Sequence, residues 1–102
     1  MKRALAIFLA VLLAPACLAQ EEEHGPYLVA DVRVLSNGNA YLSIGAAYPH
    51  QTMTIFIPAA AASNFAPITY RLKQIMVRGK IVSYKDKPEI VVKLPAQIRV
   101  LE

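Results

Sequence analysis

Residues 77–92 constrain the fold more than any other stretch, because they read as a strand, a turn and a second strand. Val77, Gly79 and Ile81 alternate with Arg78, Lys80 and Val82, the period of two expected of a half-buried strand. Lys85, Asp86, Lys87 and Pro88 supply the turn, with Pro88 fixed at a backbone angle suited to it. Residues 89–93 are rich in β-branched side chains and begin the next strand. The upstream strands then read as the rest of a small barrel that this hairpin closes.

Those upstream strands are legible in turn. Residues 27–35 alternate, with Leu28, Ala30, Val32 and Val34 on one face and Tyr27, Val29, Asp31, Arg33 and Leu35 on the other. Asn37-Gly38 follows, and this pair between β-runs is the strongest short hairpin signal. Residues 40–45 make a second strand, Leu42 and Ile44 inward, Tyr41 and Ser43 outward. Tyr48, Pro49, His50 and Gln51 turn the chain into a third strand over residues 52–57. There Met53, Ile55 and Ile57 point one way, and Thr52, Thr54 and Phe56 the other. Pro58 and the four alanines after it predict a short helix of about two turns, ending near Phe65 and Pro67. Phe65 is its expected core anchor. A fourth strand is expected over residues 74–84 and a fifth over 89–94. Residues 96–101 form either a further strand segment or an irregular tail.

The first nineteen residues stand apart from this pattern. Lys2 and Arg3 precede an apolar run over residues 4–14, too short to span a bilayer, which takes about 20 helical residues. Pro15 breaks the run, and Cys17 and Ala19 place small residues before a cut at Gln20. This is the pattern of a secretory signal peptide, and it predicts export to the periplasm or beyond. A second reading stands beside it: residues 13–17 approach a lipoprotein box, in which Cys17 would carry lipid and anchor the chain. Cleavage after Ala19 removes the one cysteine, so residues 20–102 then have no disulfide and no thiolate ligand. A chain of this size buries only about 60% of its unfolded surface, and a closed or nearly closed barrel suits it by hiding strand edges.

Charge is distributed unevenly. Residues 20–102 hold nine Lys and Arg against seven Asp and Glu, a net +2. Residues 20–69 carry −3, with Arg33 the only base, and residues 70–102 carry +5. A basic C-terminal half suits either a polyanion or a solubilising surface. Residues 20–26, with three glutamates and His24, are expected to be a flexible acidic leader to a domain over 27–102.

Three strands, a short helix and a long hairpin follow the element order of the OB-fold, a five-stranded Greek-key barrel with its helix between strands three and four. The residues carry a closer likeness. Tyr41-Leu42-Ser43-Ile44-Gly45, then Tyr48-Pro49-His50-Gln51 and the strand after it, resemble small bacterial OB-fold proteins described as nucleic-acid-binding. So do Gly79-Lys80-Ile81, Tyr84, Pro88-Glu89-Ile90 and, further on, Pro95-Ala96-Gln97-Ile98. Asp86 departs from the glycine common in that family's turn. The resemblance implies an all-β, five-stranded OB-fold barrel that binds on the face of strands two and three.

No arrangement points to catalysis. His24 and His50 have no second ligand at metal-binding spacing, and no phosphate loop, nucleophile elbow or dinucleotide fingerprint occurs. Asp86 and Glu89 sit among lysines beside the turn and read as solvated charge pairs. The chain is expected to be a binding protein without a cofactor or metal. Strand phase puts Tyr41, Ser43, Thr54 and Phe56 on the binding face, where rings can stack bases. Tyr84, Lys85 and Lys87 fall in the four–five loop, and Arg78 and Lys80 project from strand four. The expected ligand is single-stranded nucleic acid or another polyanion. The alternative is an envelope module that docks a protein or an oligosaccharide.

Overall fold

The computed structural model describes residues 22–101. The expected signal peptide, including Cys17, lies outside these residues, as do Gln20 and Glu21. The described residues are mostly strand and contain no helix long and apolar enough to cross a membrane.

Seven strands are present: β1 (Glu23–Val34), β2 (Ala40–Ile44), β3 (Met53–Ile57), β4 (Gln74–Arg78), β5 (Ile81–Tyr84), β6 (Lys87–Val91) and β7 (Ile98–Leu101). They form one sheet in the order β5-β6-β3-β2-β1-β4-β7. All neighbours are antiparallel except β3 and β6. A one-turn helix, α1 (Ala59–Ala62), and a 3-10 turn at Pro67–Tyr70 connect β3 to β4.

The long β1 serves two partners because it is interrupted twice. Its first half pairs with β4 and its second with β2. The ladder to β4 shifts between His24 and Tyr27, around Gly25-Pro26, where proline has no N–H to give. The ladder to β2 shifts between Val29 and Asp31, so Ala30 is an extra residue. That bulge corrects the simple two-face reading of β1. Val29 is fully buried in the core, yet Val32, three residues on, also packs against it.

Three further expectations are revised, and the strand reading of the tail is the one of its two that holds. β1 begins at Glu23, inside the stretch read as a flexible leader: Glu23 pairs with Arg78 and His24 with Val77 in the ladder. The expected strand 74–84 is split at Gly79 and Lys80, whose bend sends β4 to β1 and β5 to β6. The turn after it is tighter than Lys85-Asp86-Lys87-Pro88. Lys85 and Asp86 alone make it, both at positive φ, and Tyr84 already pairs with Lys87. The tail resolves into β7, which extends the sheet beyond β4.

The expected inward residues of β2 and β3 do form the core: Leu42, Ile44, Met53, Ile55 and Ile57 join Ile75, Val77, Ile90 and Val92. Ala61, Ala62, Phe65 and Tyr70 pack against it from the β3–β4 connection. The helix spans only the four alanines, one turn against the two expected, and Ser63 and Asn64 follow it before Pro67. Asn39 holds it in place, its Oδ1 accepting the Ala59 N–H at 2.8 Å. The hairpin turn thus satisfies an orphan donor at the helix start.

Candidate ligand-binding cleft

Strand register builds the outer face of the sheet. One cross-strand row runs Arg33, Tyr41, Phe56, Val91; the next runs Asp31, Ser43, Thr54, Glu89, Val82. Lys87 and Tyr84 follow as a pair on the same face of the β5–β6 hairpin. The β2–β3 loop crosses one end of this face with Tyr48, Pro49 and Gln51. Together they enclose a cleft of about 360 Å³, in the size range of small-ligand sites.

Aromatic and cationic groups are interleaved along it. Tyr41 and Phe56 stack, with ring centroids 5.1 Å apart and planes 28° from parallel. The Arg33 guanidinium lies 5.4 Å from the Tyr41 ring and 4.0 Å from that of Tyr48. Its Nε is buried without a hydrogen-bond partner. The Lys85 ammonium sits 5.4 Å from the Tyr84 ring. Lys87 does something else: its ammonium donates to the carbonyls of Pro49 at 2.8 Å and Gln51 at 3.1 Å. It therefore ties the hairpin to the β2–β3 loop and keeps one ammonium proton for a ligand.

The floor is polar and short of partners. Ser43 is only 1% exposed and Gln51 8%. Gln51 donates through Nε2 to the Thr54 hydroxyl at 3.1 Å, while its Oε1 is buried without a partner. Glu89, 9% exposed, has no hydrogen bond or ion pair within the described residues. This corrects the reading of Glu89 as a solvated charge. Thr54 and Val82 flank it in the ladder, and burial raises its pKa above the ordinary 4.5.

No family model, curated protein or solved structure matches this chain.

The cleft gathers six of the nine residues expected at the site: Tyr41, Ser43, Thr54, Tyr84, Lys85 and Lys87. Phe56 stands behind Tyr41, which it supports. Arg78 and Lys80 are not in the lining; Arg78 lies in the β1–β4 ladder and Lys80 on the Gly79 bend. Arg33, Tyr48, Gln51 and Glu89 line the cleft without having been expected there. Arg33 carried one signal, as the only base in an otherwise acidic half. Glu89 carried none, because a carboxylate near lysines looks alike whether buried or solvated.

A partly desolvated, unpartnered carboxyl costs stability when ionised. Its raised pKa means the folded state binds the proton more tightly than the unfolded chain does. The penalty is therefore full above the folded pKa and vanishes below the unfolded value of 4.5. Glu89→Gln should raise the melting temperature at about pH 7, with the gain shrinking as pH falls toward about 4. Thermal denaturation across pH measures this. A gain that does not change with pH would show that the carboxyl is solvated after all.

Proposed function

We propose that this chain is an exported OB-fold binding module that takes single-stranded nucleic acid, or a similar polyanion, across the β2–β3 face. It acts as a binding protein and not as an enzyme. The barrel reading is supported by strand pairing. β1 lies between β2 and β4, β3 runs parallel to β6, and β4 continues covalently through Gly79 and Lys80 into β5 beside β6. Counting the bent β4–β5 segment as one strand leaves six, of which five follow the circuit of that fold and β7 is added outside β4. Export rests on the sequence of residues 1–19.

One observation carries the ligand class. Arg33, Lys85 and Lys87 line a cleft walled by Tyr41, Tyr48 and Tyr84, and none of the three cations makes an ion pair within the described residues. Two arginines elsewhere are paired, Arg71 with Asp31 at 3.5 Å and Arg99 with Glu23 at 3.2 Å, while Lys73, Lys80 and Lys93 are likewise without an ion pair among the described residues; what sets the cleft apart is that its three cations stand beside three rings. Unneutralised charge among rings suits phosphates alternating with bases.

Fluorescence anisotropy of the purified protein with a labelled single-stranded oligonucleotide, at several salt concentrations, tests this reading. Phosphate contacts at Arg33 and Lys85 predict a log–log salt slope of about −1.4, and Lys85→Ala should flatten it by about 0.7. Tyr84→Ala should weaken binding by about 1–3 kcal/mol for the base it stacks, and Tyr41→Ala similarly, each with a retained thermal transition. Absence of binding at low salt would overturn the reading. The alternative, a module docking an envelope protein, would then lead, because all four residues of β5 are exposed and its outer edge is unpaired among the described residues.

A further inference from the structure

The polar floor of the cleft is more specific than a polyanion requires. Phosphate recognition alone gives no reason to keep a mostly buried glutamate in the lining of a cleft that also holds three cations. Glu89 makes no hydrogen bond or ion pair among the described residues, and it lines the same cleft as Gln51, whose Oε1 is buried without a partner. The Glu89 carboxylate oxygens are open to the cleft and free to accept from a ligand donor.

The surroundings narrow that donor. A cationic ligand is disfavoured by Arg33, Lys85 and Lys87 around it. A metal ion finds no group of three or more His, Cys, Asp or Glu among the described residues. A neutral ring with adjacent N–H groups fits. Of the four common bases, guanine alone places two donors side by side, N1–H and the N2 amino group, with the acceptor O6 next to them. Glu89 and Lys87 offer the complementary sequence. They stand two residues apart on one face of β6, an acceptor-only carboxylate beside an ammonium with a proton to spare.

We propose that the cleft holds one guanine of a single strand, Glu89 accepting from N1–H and N2–H while Lys87 donates to O6. Tyr48 and Tyr84 border the cleft as stacking surfaces, and Arg33 supplies the charge for the flanking phosphate. The inference rests on the single-strand reading above and adds base preference to it. Glu89 is then the residue that determines specificity, and the buried carboxyl is retained for binding at a cost in stability.

The test compares short oligothymidylates that carry one central guanine, hypoxanthine, adenine or no substitution, by anisotropy on the purified protein. Guanine should bind about 5- to 150-fold more tightly than the all-thymine strand, the range of one good bidentate base contact. Hypoxanthine, which lacks the N2 amino group, should lose most of that advantage. Within Glu89→Gln, the ratio of guanine to all-thymine affinity should fall to about one, because the amide cannot accept both protons. Equal affinity for all strands, with the salt slope intact, would overturn the guanine site and leave the single-strand reading standing. Guanine and hypoxanthine bound alike, or a preference that survives Glu89→Gln, would overturn it too. No binding of any strand would remove both.

Discussion

Gly79→Val should lower the melting temperature by on the order of 20 °C. Two costs combine. Gly79 sits at φ +152°, a conformation side chains rarely adopt, at about 1–3 kcal/mol for a non-glycine residue. A Cβ there would also lie 2.8 Å from Cγ2 of Ile90. Ile90 is β-branched and fully buried, so it cannot rotate away, and overpacking of this kind adds about 1–3 kcal/mol. The position is held from the other side as well. The Gly79 N–H donates to the Glu22 carbonyl at 3.1 Å, and its own carbonyl lies 3.0 Å from His24 Nε2. The bend has no room to move outward. Small domains without disulfides have only about 3–5 kcal/mol in hand, so the variant should be largely unfolded at physiological temperature. Gly79→Ala should show most of the loss, since the first carbon makes the contact. A valine variant melting within a few degrees of the parent would remove Gly79 as the fixed corner between β4 and β5.

That corner illustrates how far the sequence could be read. The alternation of Leu42, Ile44, Met53, Ile55 and Ile57 put the right side chains in the core because β2 and β3 are regular over their whole lengths. Period two fails where a ladder slips. Ala30 and the Gly25-Pro26 pair each insert a register shift, and no local signal says which neighbour absorbs it. The glycine at 79 falls inside what reads as one continuous strand, and only the pairing shows that it ends one strand and aims the next at a different partner. The site follows the same division. Tyr41, Ser43 and Thr54 were legible because they belong to regular strands. Arg33, Gln51 and Glu89 reach the cleft through cross-strand register and a loop closed by Lys87, both long-range properties. Burial of Glu89 could not be anticipated from a sequence that surrounds it with lysines.

Gln97 is the clearest case of a residue whose presence was legible and whose task was not, and Gln97→Ala is expected to cost about 2–4 kcal/mol. Its buried side chain makes three hydrogen bonds. Oε1 accepts from the Lys93 and Leu94 amides at 2.9 and 3.0 Å, and Nε2 donates to the Arg78 carbonyl at 2.9 Å. The side chain therefore clamps the end of β4 to the segment leaving β6, across the Gly79 bend. Alanine leaves the Arg78 carbonyl without this donor and frees two amides that shape the turn into β7. Gln97→Glu separates bonding from packing. It keeps the acceptor and the volume, but at neutral pH it sets a carboxylate oxygen against the Arg78 carbonyl. Protonation restores a donor, so the glutamate variant should regain stability as pH falls, whereas the alanine variant should show no such recovery. Nε2 would also lie 3.5 Å from a Cβ at position 79, so the two sites share one corner. Combining Gly79→Ala with Gln97→Ala should then cost less than the two separate losses together, because either alone already loosens the bend. Urea denaturation of the four proteins measures the coupling. Strict additivity would mean that Gln97 braces only the β6–β7 turn, and that the β5–β6 wall of the cleft stands without it.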